Sequence, residues 1–338
     1  MEDMIQQYVQ GTHYRTCMKL PEEVTESYEM LAQGEYNRNY LFIHPVTGQK
    51  LILRVNLGSQ MHLDHQIEYE YQALQILEAS GRTPKVYYVD GTKKEIPYGV
   101  MVMEFLPGHA MEYKTELFRA ADILSDIHSI PVEAETSLIE QENPLRGILE
   151  ECEEMFAVYE QSDLGDARKK RWIREFLQEG WKRVDALMAP AYRCCINTEL
   201  NSTNFLIQDR GSQAPDYLID WEKPLYGEPA QDLGHFLAPT TTFWKTDVIL
   251  TEVQVEAFIQ TYIEAVNDRF PTDGLQERVN VYIPVTCLRG ITWCAMAWIQ
   301  YQDPEKEVFN ASTYKKLEAY LSDEFLEKIE RFIKKQNI

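Results

Sequence analysis

The sequence predicts an α+β protein: a β-rich first third with one helix, then a mainly helical remainder. Three observations carry this. Short runs of β-branched and aromatic residues dominate up to Phe105, apolar residues at helical spacing dominate from Leu117 onward, and Pro107-Gly108 punctuates the chain between them. Taken in order, Tyr40-Leu41-Phe42-Ile43 and Leu51-Ile52-Leu53-Arg54-Val55 are β-type runs, and Pro45-Val46-Thr47-Gly48 between them has the composition of a hairpin turn. Residues 65–79 place Ile67, Tyr71, Leu74 and Leu77 on one helical face, with Ile76 beside them, and Gly81 ends that helix. Residues 85–89 and 98–105 are two further strands. The punctuation at 107–108 divides the chain into expected domains 1–106 and 107–338.

Beyond that boundary, residues 117–130 have helical periodicity and stop before Pro131. Residues 133–160 hold nine Glu and one Arg, with few Gly or Pro after Gly147, so they form an acidic helix joined by a loop. The basic run 168–174 is read as one solvated helix face, with a ligand role as the lesser alternative. Phe205-Leu206-Ile207 and Tyr217-Leu218-Ile219 pair as a hairpin, and helices are expected over 252–267, 281–301 and 317–335.

A chain of 338 residues buries a large core in one or two domains. With 54 acidic against 33 basic residues, the net charge is −21. Such a surface repels phosphate backbones and anionic lipids, which argues against nucleic-acid and membrane partners and favours a cationic small molecule, although solubility alone also accounts for acidity. No apolar run reaches membrane-spanning length, and Met1-Glu2-Asp3 lacks the basic start of a signal peptide, so a cytoplasmic protein is expected. The six cysteines form no CxxC or metal-ligand spacing and are expected to be reduced, with Cys194 and Cys195 buried beside a core strand.

The stretch Asn197-Thr198-Glu199-Leu200-Asn201-Ser202-Thr203-Asn204 carries the chemistry. Glu199 sits five residues before Asn204 in a loop entering an apolar run, and Asp220 ends the next apolar run, Tyr217-Leu218-Ile219-Asp220-Trp221-Glu222. Kinase-type enzymes place a proton acceptor and two magnesium ligands around a triphosphate in this way. Together with Gly227-Glu228-Pro229-Ala230-Gln231-Asp232-Leu233, these motifs resemble the aminoglycoside phosphotransferase and choline kinase family, and the resemblance spans roughly residues 25–300. It implies a bilobal, protein-kinase-like fold. In the N-terminal part, residues 31–40 resemble the family's nucleotide loop, Leu53-Arg54-Val55 the strand with the phosphate-binding cation, Glu70 the helix acid that pairs with it, and Met103-Glu104-Phe105-Leu106-Pro107-Gly108 the hinge that receives adenine.

The resemblance therefore implies a catalytic Glu199, metal ligation by Asn204 and Asp220, and nucleotide binding through Arg54, Glu70, Gly34, Asn37, Glu104 and Leu106. Gly34 would let backbone approach phosphate, although a polar surface turn also accounts for Gly34, Asn37 and Asn39. Arg54 stands where the family often has Lys; it keeps the charge and offers a planar fork. Asp232 is implied to anchor the catalytic loop through backbone N–H groups, with a plain helix N-terminal acid as the alternative. Trp221 and Glu222 could line the substrate pocket, although Trp221 fits the core better, and His128 and His235 fit core or helix ends. The sequence departs from the family at Glu199, where Asp is usual, and at Asn197, where His is usual. Glu keeps the acid group but adds one C–C bond, about 1.5 Å of reach.

Two functions compete. One is an ATP- or GTP-dependent, Mg²⁺-using phosphotransferase acting on a hydroxyl of a small, cationic, aminoglycoside- or choline-like substrate, whose pocket draws on residues after Trp221 and on 133–160. The other is a pseudokinase that binds nucleotide or a small ligand without turnover. A protein-substrate kinase is weaker, because DFG and APE motifs are missing.

Overall fold

The computed structural model describes residues 1–133, 135–303 and 310–334. They pack as two compact units, Met1–Ala110 with Asp126–Ile139 and Asn204–Pro224, and Met111–Ser125 with Glu140–Thr203 and Leu225–Ile338. The first unit opens with α1 (Glu2–Val9) and α2 (Thr12–Cys17), followed by β1 (Glu29–Gln33), β2 (Asn37–Ile43), β3 (Lys50–Asn56), α3 (Gln66–Leu77), β4 (Val86–Asp90), β5 (Gly99–Glu104) and the short β6 (His109–Ala110). Strands β1 to β5 form one antiparallel sheet in the order β1-β2-β3-β5-β4. β2 and β3 are a hairpin in full register from Asn37↔Asn56 to Ile43↔Lys50, and Gly48 in its turn has φ +72°. Leu53, Val55, Val100 and Val102 are almost fully buried with Tyr40, Phe42, Tyr8 and Tyr14 in one core.

Two helices, α1 and α2, stand where the sequence was expected to give only strands and α3. Their apolar residues, Ile5, Tyr8 and Val9 among them, have helical spacing over only eight and six residues. Helices this short are marginal alone, and these are held by burying their tyrosines in the sheet core.

The chain continues with α4 (Tyr113–Glu116), α5 (Arg119–His128), α6 (Pro144–Gln161), α7 (Ala167–Trp181), β7 (Cys194–Ile196), β8 (Phe205–Ile207), β9 (Tyr217–Leu218) and β10 (Leu225–Gly227). It ends with α8 (Pro229–Leu237), α9 (Pro239–Thr246), α10 (Glu252–Val266), α11 (Leu275–Gln300), α12 (Ala311–Tyr320) and α13 (Asp323–Ile333). β8 and β9 are the expected hairpin and form a small sheet with β6 in the first unit. In the second unit β7 pairs with β10, and α11 packs against α6 and α8. α11 is buried around most of its circumference, which explains its apolar composition. Asn143 caps α6 by accepting from the Arg146 amide at 3.0 Å, so the helical part of the acidic segment begins at Pro144; Ala134 in its loop lies outside the described residues.

The single helix expected over 317–335 is instead α12 followed by α13. Ser322 Oγ accepts from the Phe325 amide at 3.2 Å and starts the second helix; the expected end at Lys335 lies outside the described residues. All six cysteines are unpaired. Cys17 is exposed; Cys152, Cys194, Cys195, Cys287 and Cys294 are buried, and burial pushes their thiols up, those of Cys152 and Cys287 to about 12. Among the described residues no helix is long and apolar enough to cross a membrane.

Candidate active site

Arg54 lies on β3, an interior strand of the sheet between β2 and β5, and is only 4% exposed. A guanidinium at such a position needs partners. Its Nε lies 3.2 Å from Glu70 Oε2 on α3, at an angle that makes no hydrogen bond. Its Nη2 donates to Glu222 Oε1 at 2.7 Å and lies 3.5 Å from Asp220 Oδ1. Burial works against the Arg54 charge, but Glu70, Asp220 and Glu222 together outweigh it and hold the guanidinium above its ordinary range. Glu70 is pushed up to about 7, chiefly by burial; Glu222 and Asp220 add to this and Arg54 opposes it.

The segment after β9 is tied to the sheet and to α3. Asn37 Nδ2 donates to Glu222 Oε1, and Asn37 Oδ1 accepts from Asn56 Nδ2 at 3.0 Å. Gln66 Nε2 donates to the Glu222 carbonyl at 2.8 Å, and the Tyr69 hydroxyl donates to the Pro224 carbonyl at 2.6 Å. Asn37 is thus a buried side chain engaged on both of its polar ends. Asn204 and Asp220 are brought together by the β8–β9 hairpin: the Ile219 amide donates to the Asn204 carbonyl at 2.9 Å. Asp220 has φ +68°, a left-handed conformation that is uncommon for a non-glycine residue and recurs at functional turns.

The donor set suits Mg²⁺. Asp220 and the Asn204 amide offer hard oxygens, and the cluster has three carboxylates against one guanidinium. No group of three or more His, Cys, Asp or Glu side chains that could hold a metal occurs among the described residues. A metal here would draw on one or two protein ligands with the rest from phosphate and water, the mode Mg²⁺ favours.

The remaining nucleotide candidates lie elsewhere in the first unit. Gly34 closes the β1–β2 turn, its amide donating to the Asn37 carbonyl at 2.9 Å. Arg54 pairs with Met101 in the sheet, and Glu104 is three residues further along β5, about 10 Å away by strand rise. Leu106 is 6% exposed. The segment that follows, still in the first unit, is held by Gln208 Nε2 donating to the Pro107 carbonyl at 2.6 Å. Gly108 has φ +141°, and a Cβ there would sit 3.0 Å from the Leu206 Cβ, so only glycine fits.

Glu199 belongs to the second unit, on the loop that leaves β7. Asp232, in the first turn of α8 and fully buried, accepts from the Asn197 and Thr198 amides, each at 2.7 Å. Both accounts of Asp232 therefore hold: it is a helix N-terminal acid, and it anchors the loop. Asn197 Oδ1 accepts from the Glu199 amide at 3.1 Å, and Asn201 Oδ1 accepts from Thr203 N at 3.0 Å. Thr198 has φ +68°. The Glu199 carboxylate is partly exposed, and its Oε1 lies 3.6 Å from Arg289 Nη2. Arg289, on α11, donates from Nε and Nη2 to the two Glu151 oxygens at 2.9 and 3.3 Å. Trp221 is core, 1% exposed, with its indole N–H donating to the Leu218 carbonyl.

Sequence reasoning missed Arg289 with Glu151, and missed that Glu222 faces Arg54. A signal for the first was present: Arg289 is the only charged residue between Val281 and Gln300, and a charge inside an apolar helix needs a partner. No comparable signal marks Glu222, whose partners lie far away in sequence.

The sequence pattern of the phosphotransferase enzyme family matches residues 27–275. The chain belongs to that family. Its fold is protein-kinase-like, as in the solved structures that resemble it. These include a choline kinase from Cryptosporidium parvum Iowa II (13% identity, TM-score 0.65, covering 97% of this chain and 96% of that one). They also include a Plasmodium vivax ethanolamine kinase (18%, 0.63, 96% and 89%). A third is a spectinomycin phosphotransferase in complex with ADP and spectinomycin (12%, 0.61, 96% and 96%). At these identities the likeness is one of fold. No curated protein matches this member of the phosphotransferase family in sequence.

Proposed function

We propose that this chain transfers a phosphoryl group from a Mg²⁺-bound nucleoside triphosphate, ATP or GTP, to a hydroxyl of a small cationic molecule in a reducing cytoplasm. The Arg54 cluster is the observation that carries this reading. A buried cation held between an acid on α3 and two acids after β9 is placed to offset phosphate charge without drifting. Arg54 grips the phosphates, with Glu70 holding it; Asp220 and Asn204 are the metal ligands. Gly34 lies in the nucleotide loop, Asn37 braces that loop through Glu222 and Asn56 rather than touching nucleotide, and Glu104 and Leu106 take the adenine. Bound Mg²⁺ supplies positive charge to the phosphate oxygens. Glu199 accepts from and orients the acceptor hydroxyl on a loop whose backbone Asp232 fixes.

The cationic acceptor is supported by the surroundings of α11. Glu151 and Glu199 give one more carboxylate than Arg289 neutralises. One turn along the same helix face, Trp293 meets Trp244 edge-on at 5.3 Å, and aromatic faces attract alkylammonium groups. Choline, ethanolamine and aminopropanol kinases of the same fold are named for hydroxylated amines.

The test has two parts. ATP with Mg²⁺ should raise the melting temperature more than ATP alone, and Asp220→Asn should abolish the difference. Transfer to a panel of hydroxylated amines should then be lowered in kcat by about 10²–10⁴-fold by Glu199→Gln. Nucleotide binding with no turnover anywhere in the panel would make the chain a pseudokinase; blindness to nucleotide would remove both readings.

A further inference from the structure

We infer that Arg289, braced by Glu151, is a positioning residue that adapts this site to glutamate at position 199. The inference rests on Glu199 as the acceptor-facing carboxylate. Glutamate has one more rotatable bond than aspartate, so on an anchored loop its carboxylate samples a wider arc unless something stops it. The loop backbone is already fixed: Asp232 holds the amides of Asn197 and Thr198, and Asn197 holds the amide of Glu199 itself. The side chain is placed in turn, and Arg289 meets its carboxylate. The guanidinium is fixed on two of its nitrogens by both oxygens of Glu151, a fork geometry that fixes its plane. The same Nη2 lies 3.6 Å from Glu199 Oε1.

The bracing is sequential. α6 carries Glu151, α11 carries Arg289, and these two helices pack together along the second unit. The rigid helix pair thereby extends its order to a loop side chain. An aspartate at position 199 would hold its carboxylate about 1.5 Å nearer the backbone, drawn back from the guanidinium. Glu199 and Arg289 are in this sense a matched pair: the longer acid reaches a cation that restrains it.

The experiment is a double-mutant cycle between Arg289→Met and Glu199→Asp on the full chain. It uses MgATP with the fastest acceptor among choline, ethanolamine, 1-amino-2-propanol and spectinomycin, or MgATP hydrolysis if water is the best acceptor. With Glu199 present, Arg289→Met should lower kcat by about 10²-fold, the effect of a displacement near 1 Å, and leave the KM for MgATP unchanged. In the Glu199→Asp background the same change should cost less than about 3-fold, because the shorter acid has no restraint to lose. Glu151→Gln, which keeps Arg289 but loosens it, should lower kcat by an intermediate factor, and Arg289→Lys should recover part of the loss. Equal losses in both backgrounds would show Arg289 to be merely structural and overturn the inference alone. Full activity in Glu199→Gln, or no phosphoryl transfer by the unaltered protein to any acceptor, would overturn the underlying reading and the inference with it. If Arg289→Met does not fold, Glu151→Gln decides: an unchanged kcat there overturns the bracing.

Discussion

Arg54 shows how one side chain gathers a site. Its strand position buries it, and burial forces it to find carboxylates. Arg54→Met should lower stability by about 3–5 kcal/mol, because the acids left behind repel one another; urea unfolding measures this. Glu70 gives a pH signature. Its carboxyl is pushed from 4.5 up to about 7, so between these values the folded chain binds the proton that the unfolded chain has released. The Glu70 contribution to stability is therefore most favourable below pH 4.5, declines as pH rises to about 7, and is flat above that. Glu70→Gln should remove this decline from a plot of urea midpoint against pH. Arg54 and Glu70 were legible in the sequence through the family resemblance, which places a cation on that strand and its partner acid on the next helix. The burial of Asn37 was not. It depends on Glu222, 185 positions later, arriving beside β2, and no local pattern encodes that approach.

Among the elements, α8 and the loop after β7 depend on each other. Asp232 replaces solvent for two loop amides from inside the first turn of the helix. Hydrogen bonds to a charged group contribute about 1.5–3 kcal/mol each, so Asp232→Ala should cost about 3 kcal/mol and Asp232→Asn, which retains one acceptor, about half. Guanidinium unfolding measures both. Strands β2, β3 and β5, the β8–β9 hairpin and the long helices were legible because their periodicity runs over many residues. The break between α12 and α13 was missed because one serine decides it: Ser322 offers a cap in the middle of an otherwise continuous apolar spacing. α1 and α2 were missed for the opposite reason, too few residues to establish a period.

For the whole molecule, charge is the governing quantity. A net charge of −21 concentrates cations near the surface and weakens with screening. The KM for a choline-like acceptor should rise with ionic strength between about 10 and 300 mM, over which the Debye length shrinks several-fold, while a neutral alcohol of similar size should show little change. Steady-state kinetics in potassium chloride measures the difference, and a flat KM for the amine would remove electrostatic attraction from the account of its binding. The charge balance was fully legible in the sequence. That Glu151 and Glu199 meet at one guanidinium was not, because they become neighbours of Arg289 only once α6 and α11 have packed.

The distribution of thiols gives the molecule a built-in reporter. Five of the six are shut inside packed helices and strands with their protons held tightly, and Cys17 alone reaches solvent. Maleimide attack requires an accessible thiolate, so a fluorophore should attach once per native chain, at Cys17, and the remaining five should become labelled only as molecules open. The stoichiometry of attachment, read by intact-mass spectrometry, would then count open molecules directly without any engineered cysteine.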